Sequence, residues 1–265
     1  MCIAYLALRS HPDWPLFIAA NRDEFHDRPT QAAAPWAKHA DVIAGIDLLA
    51  GGTWLGINRQ GRFGLLTNYR EMGTHRPDAQ SRGELVGNFL TGTDRPQAYE
   101  QQVAMNGHVY NGFNLIVGDL QQACYIANQP HIRSHELAAG RYVISNHLLD
   151  TAWPKAERLR AALSYYPSDE LLSSLSPIFA ILKDTTQAPD EHLPSTGLDL
   201  DRERLLSSPF IISPGYGTRC STVIAVHRSG QGIFSEITYN PEGIGSERHD
   251  WPFQISEALS HYPQV

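Results

Sequence analysis

The sequence predicts a layered α+β domain in which mainly antiparallel sheets are covered by helices. Apolar runs of strand length come in pairs joined by turn residues, amphipathic helical patterns come in two blocks between them, and the regular strand–helix alternation of a parallel sheet is absent. With 265 residues, 42% hydrophobic and 18% charged, the chain has enough apolar content for a sizeable core. No repeat or composition shift divides it, so residues 1–265 are expected to form one domain.

The elements follow in order. Apolar runs at residues 2–8 and 16–20 are separated by Ser10, His11, Pro12, Asp13 and Pro15, which is turn chemistry, and predict an opening β-hairpin. A second hairpin is expected from residues 52–58 to residues 63–69, joined by Arg59-Gln60-Gly61-Arg62 and entered through Gly51 and Gly52. Two short helices come next, because Ser81 with Glu84 and Asp94 with Gln97 each have the form of a capping box. Leu85, Val86, Phe89 and Leu90 follow the first, and Tyr99, Val103 and Met105 the second. Residues 113–117, 123–127 and 142–145 return to strand character, and residues 153–166 and 168–182 carry helical periodicity. Residues 184–201, rich in Pro, Thr, Asp and Gly, read as a long surface loop before closing strands at 221–227 and 232–239.

Composition excludes several functions. The 21 Lys and Arg against 28 Asp and Glu give −7 with no basic run, so nucleic acid is not an expected partner. No apolar run approaches the ~20 residues that span a bilayer, and the N-terminal stretch lacks the basic leader of a signal peptide. Three cysteines, Cys2, Cys124 and Cys220, with no Cys-x-x-Cys pair fit a reducing compartment, and the expected localisation is cytoplasmic. There is no Gly-Lys dipeptide for a P-loop, Gly215-Tyr216-Gly217 lacks the third glycine of a dinucleotide fingerprint, and Gly-x-Ser-x-Gly and His-Glu-x-x-His do not occur. His131 and His135 flank a predicted strand and turn in a chain with 12 histidines and read as surface residues, so no metal site is expected.

What remains is concentrated at strand ends. If Met1 is removed, Cys2 carries a thiol and a free α-amine whose pKa is about 7.7–8.0, so nucleophile and base share one residue. The alternative is a small apolar residue opening a buried strand. Asn21-Arg22-Asp23-Glu24 ends the second strand, and alternation puts Asn21 and Asp23 on one face, Arg22 and Glu24 on the other. Asp23 is positioned either to hold the ammonium of Cys2 or to form a local ion pair in a turn. Asn68 and Asn146 each terminate an apolar run, as turn initiators or as amide donors to an oxyanion. Arg219, just before the closing strands, is either a surface arginine or a partner for Asp23 or for a substrate anion.

These residues lie in blocks that resemble the NRDE family, also called the transport and Golgi organisation type. The blocks are Met1-Cys2-Ile3, Ala19-Ala20-Asn21-Arg22-Asp23-Glu24-Phe25, Gly51-Gly52-Thr53-Trp54-Leu55-Gly56, Leu66-Thr67-Asn68-Tyr69, Arg82-Gly83-Glu84-Leu85-Val86, Tyr110-Asn111-Gly112-Phe113-Asn114-Leu115 and Pro214-Gly215-Tyr216-Gly217-Thr218-Arg219. The resemblance implies an N-terminal-nucleophile hydrolase fold, a four-layer αββα sandwich. By similarity to the cysteine branch of that fold, catalytic roles pass to Cys2, Asp23, Asn68, Asn146 and Arg219, with Asn21, Arg22 and Glu24 in support. Asn21 departs from the acylases of that branch, which carry an arginine there. The implied activity is cleavage of a C–N amide bond in a small-molecule substrate without a cofactor. The implied alternative is a non-catalytic haem or lipid binding or trafficking protein, and without a Cys-x-x-Cys-His motif any haem would be held reversibly.

Overall fold

Residues 2–8 have no polar face: Ala4, Leu6 and Leu8 point one way, Ile3, Tyr5 and Ala7 the other, and all six are buried. A strand apolar on both sides belongs in an inner layer with packing above and below. The computed structural model, which describes residues 2–70, 73, 75–168, 171 and 174–255, has it there. β1 (Cys2–Leu8) pairs with β2 (Leu16–Phe25) across the expected turn. The first sheet is antiparallel and runs β10 (Gly140–Ile144), β1, β2, β11 (Tyr216–Val226), β12 (Gln231–Thr238), β13 (His249–Gln254). The second is also antiparallel and follows chain order through β3 (Thr30–Trp36), β4 (His39–Asp47), β5 (Leu55–Asn58), β6 (Phe63–Asn68), β7 (Phe113–Gly118), β8 (Ala123–Ala127) and β9 (Arg133–Glu136).

Three apolar layers separate the elements. Ala4, Leu6, Leu16 and Ile18 of the first sheet meet Ile43, Leu55, Ile57, Leu65 and Ile116 of the second in the central core. The outer face of the first sheet packs Ile3, Tyr5, Phe17 and Ala19 against Ala156 and Leu159 of α3 (Pro154–Ala162) and Ile178 and Leu182 of α4 (Ser176–Leu182). The outer face of the second packs Val42, Leu115, Val117 and Ile126 against Leu85, Phe89 and Leu90 of α1 (Gly83–Thr91) and Tyr99 and Val103 of α2 (Pro96–Asn106). The result is an αββα sandwich of class α+β, as expected. Among the described residues no helix is long and apolar enough to cross a membrane.

Several local expectations need correction. Neither capping box forms. α1 starts one residue later than Ser81 requires, so the Ser81 hydroxyl goes to the Gly51 carbonyl while the Glu84 carboxylate accepts from Tyr110 Oη at 2.7 Å. α2 starts at Pro96, whose missing N–H is no loss in a first turn, and Asp94 instead accepts from Gln102. The helix expected over 153–166 is α3. Of that over 168–182, Ser176–Leu182 forms α4, and residues 169, 170, 172 and 173 lie outside the described residues. The loop at 184–201 contains a single 3₁₀ turn and runs into α5 (Leu200–Leu205). β11 begins at Tyr216 rather than Ser221, and a bulge between Thr218 and Cys220 takes Arg219 into the strand.

Candidate active site

The sandwich opens at the end where β1 begins and β2 and β6 finish. A cleft of ≈ 420 Å³ lies there, bounded by Cys2, residues 22–24, the turn at 49–54, Asn68, residues 75–81 and the start of α1. Gly52 lets that turn press against α1. Its φ is +76°, and a Cβ there would lie 2.3 Å from the Gly83 carbonyl carbon, so a side chain is barred by conformation and by space.

Cys2 stands opposite Arg22 in the antiparallel register, with Cys220 on the other side of Arg22. Opposed residues share a face, so the Cys2 thiol and the Arg22 guanidinium both turn toward the gap between the sheets. Arg22 lies 4.3 Å from the Trp54 ring and 3.4 Å from Asp47, while Arg28 pairs with the same Asp47 oxygen at 2.6 Å. Glu24 shares the face of Arg22 and closes this cluster at 3.9 Å. Arg76 and Arg82 also line the cleft, but their guanidiniums donate to the carbonyls of His108, Tyr110 and Gly112 and have no carboxylate partner among the described residues.

Asn21 and Asp23 occupy the opposite, helix-facing side of β2. The Asn21 amide donates to the carbonyls of Leu182 and Pro209, which ties β2 to the outer layer, and its oxygen accepts from Ser221 of the neighbouring strand β11. Asp23 is 1% exposed and accepts from the Thr218 hydroxyl at 2.7 Å. Beyond Arg22 the β2 chain reaches Asp23 as the β1 chain reaches the main-chain nitrogen of Cys2. Asp23 is thus one residue beyond the Cys2–Arg22 pair, and its backbone N–H donates to the Cys2 sulfur.

Asn68, half-buried at the end of β6, lines the cleft. Asn146 and Arg219 do not. Asn146 is fully buried, and its amide donates to the Asn68 carbonyl at 3.0 Å while its oxygen accepts from Ser145, whose hydroxyl also donates to the Cys2 carbonyl. Its contacts hold Asn68 and Cys2 rather than face a ligand. Arg219, expected as a partner for Asp23, donates to the carbonyls of Phe25 and Arg28 and braces the turn after β2; Thr218 takes the place beside Asp23 because the bulge turns Arg219 away.

Burial dominates the electrostatics. Withdrawal from water pushes the Cys2 thiol up; the charge of Asp23 adds to this, and Arg22 with the Asp23 backbone N–H offsets part of it. Desolvation also raises Asp23, opposed by Lys155, by the Thr218 hydrogen bond and by Arg22. Sequence reasoning passed over Lys155. It is the second residue of α3, is 2% exposed, and desolvation pulls it down to about 8, with Asp23 the largest opposing charge. The signal was present: Lys155, Leu159 and Leu163 fall four apart on one stripe, so the lysine occupies an apolar position of the helix. Cys220 lies sealed in the core, its thiol driven well above the ordinary value by desolvation and by Glu236.

This chain is similar to known proteins along nearly its whole length. A model of a family described as Transport and Golgi organisation 2 matches residues 1–241. The Bos taurus Transport and Golgi organization protein 2 homolog is 36% identical over 95% of this chain and 96% of its own. Transport and Golgi organization protein 2 of Drosophila melanogaster is 25% identical over 94% and 97% respectively. Among solved structures, the Caenorhabditis elegans ortholog of N-acylethanolamine-hydrolyzing acid amidase aligns with 84% of this chain and 92% of that one at 13% identity and a TM-score of 0.47.

Proposed function

This chain belongs to the Transport and Golgi organisation 2 family, and we propose that it is an N-terminal cysteine amidohydrolase that cleaves a C–N amide bond. The supporting observation is the half-buried Cys2 on the cleft, with the buried Asp23 one residue beyond its strand partner Arg22. After removal of Met1 the α-amine takes the thiol proton, and Sγ attacks the carbonyl carbon. Asn68 donates to the oxyanion, held in place by Asn146, and Asp23 orients the amine. The C–N bond then breaks, the leaving amine takes the proton from the ammonium, and a thioester remains on Cys2. Water, deprotonated by the same amine, releases the acid and restores the thiol.

Arg76 and Arg82 on the cleft wall, neither in an ion pair among the described residues although the charge of Glu24 acts on Arg82, favour a substrate bearing a negative charge. The test is a panel of N-acyl amides, with and without a carboxylate on the amine portion. Release of amine, favouring the anionic members, with an acyl group trapped on Cys2 and loss of turnover in Cys2→Ala, is the expected result. Turnover that survives Cys2→Ala refutes the assignment.

Reversible haem or lipid binding is the second reading, favoured by the same two arginines beside the apolar Leu49, Trp54 and Leu66. A haem titration distinguishes it: a Soret change that persists in Cys2→Ala supports binding without turnover, and an unchanged Soret band removes the haem version.

A further inference from the structure

We propose that Lys155 is a positioning residue for the N-terminal nucleophile: a buried cation beneath the end of the first sheet that balances Asp23 and keeps the Cys2 amine and thiol in reactive forms at neutral pH. This rests on the reading of Cys2 as an N-terminal nucleophile.

Lys155 is poorly placed for stability on every local count. Its charge sits in the first turn of α3, at the positive end of the helix dipole. The side chain is 2% exposed, and Nζ has no hydrogen-bond partner among the described residues. A leucine or methionine on this apolar stripe would avoid all three costs. The amine lies on the same side of the sheet as Asp23, since α3 packs on β1 and β10 and Asp23 shares the helix-facing side of β2 with Asn21. The charged groups facing it are Asp23 from β2, Cys2 from β1, Arg70 from the segment after β6 and Glu203 from α5. Arg70 and Glu203 pair at 3.1 Å, both nearly buried, and Asp23 acts on Arg70 as well as on Lys155.

The consequence for the chemistry is specific. A buried carboxylate beside an α-amine stabilises the ammonium and so withholds the base, and it also opposes formation of a thiolate nearby. A cation on the far side of that carboxylate reduces both effects while leaving Asp23 able to orient the amine. The Lys155 ammonium, drawn down to about 8 itself, holds this charge through the neutral range.

The test is the pH dependence of Cys2 alkylation by iodoacetamide in the full-length protein, comparing the unmutated chain with Lys155→Met and Lys155→Arg. Lys155→Met is expected to slow labelling about tenfold at pH 7 and to move the profile about one unit to higher pH, with recovery in Lys155→Arg. Superimposable profiles overturn the role of Lys155 while leaving the nucleophile intact. Retained Met1 with an unreactive Cys2 in the unmutated chain overturns the nucleophile reading itself, and the role of Lys155 with it. A second measurement follows Lys155 itself. The sequence has three lysines, and Lys38 and Lys183 are exposed. Carbon-13-labelled lysine therefore allows the Lys155 titration to be followed by NMR. Asp23→Asn removes the facing carboxylate and must lower the pH at which Lys155 titrates; an unmoved titration contradicts the coupling.

Discussion

Glu236 and Lys155 are both sealed in the interior, at 3% and 2% exposure, yet the chain treats them in opposite ways. Glu236, on β12, spans the central core: one oxygen accepts from the Ala33 N–H of the other sheet at 2.7 Å, the second from Thr222 at 3.0 Å. Lys155, beneath the first sheet, has neighbouring charges but no hydrogen bond to its Nζ among the described residues. A buried charge with its bonds satisfied locks two sheets together, whereas one without them is a cost that the fold carries beside its cleft. The first belongs to stability and the second to the site.

The largest effect expected from this contrast is at Glu236. Glu236→Leu strands the Ala33 N–H and the Thr222 hydroxyl and should cost roughly 3 kcal/mol in urea unfolding; a cost near zero would erase the distinction. Lys155→Met should act in the other direction, raising stability at pH 7 by roughly 1–3 kcal/mol while impairing Cys2 reactivity. The sign follows from its titration. Below about 8 Lys155 is charged in both folded and unfolded chains and the folded state bears the full burial cost. From about 8 to 10.5 only the unfolded chain keeps the proton, so stability of the unmutated protein rises with pH, and above that range the cost is gone. The advantage of Lys155→Met should therefore shrink between pH 8 and 10.5, measured by urea midpoints across that interval. A smaller effect is expected at Thr218. Thr218→Val removes the hydrogen bond to Asp23 and should cost about 1 kcal/mol and raise the Asp23 carboxyl further, read by NMR titration of that carboxyl. Smallest is Arg22→Gln, which removes one of the groups lowering the Cys2 thiol and should slow alkylation at pH 7 by a factor of about three, an effect that weakens with salt.

The sequence made much of the inner architecture legible because strands buried on both faces are continuous apolar runs: residues 2–8, 16–20, 113–117 and 123–127 all lie within strands of the sandwich. Four strands were left unread: β4, although it carries the buried run Val42-Ile43-Ala44, and three with weaker signals. β9 is Arg-Ser-His-Glu and fully exposed, β3 is built on Ala32-Ala33-Ala34-Pro35, and β13 contains Pro252; all three lie at or near sheet edges, where pairing rather than burial defines the strand. At the site, alternation sorted Arg22 and Glu24 from Asn21 and Asp23 correctly, since period two is a local property. It did not say which face opens to the cleft. The pairing of Arg219 with Asp23, one of the alternatives the sequence left open, does not form, because a bulge resets alternation and leaves no mark in composition. Asn146 was read from its place at a strand end, and its commitment to the Asn68 carbonyl depends on how the two sheets meet. Lys155 required the opposite inference, from a charge at an apolar position of a helix.

The central claim is that the mature chain begins with Cys2 and presents a reactive thiol to the cleft. Intact mass measurement of the purified protein before and after brief treatment with iodoacetamide near neutral pH tests it directly, because Cys124 and Cys220 are buried. The expected result is a mass lacking the initiator methionine and a single adduct that maps to residue 2. A chain that keeps Met1 and takes no label at Cys2 contradicts it.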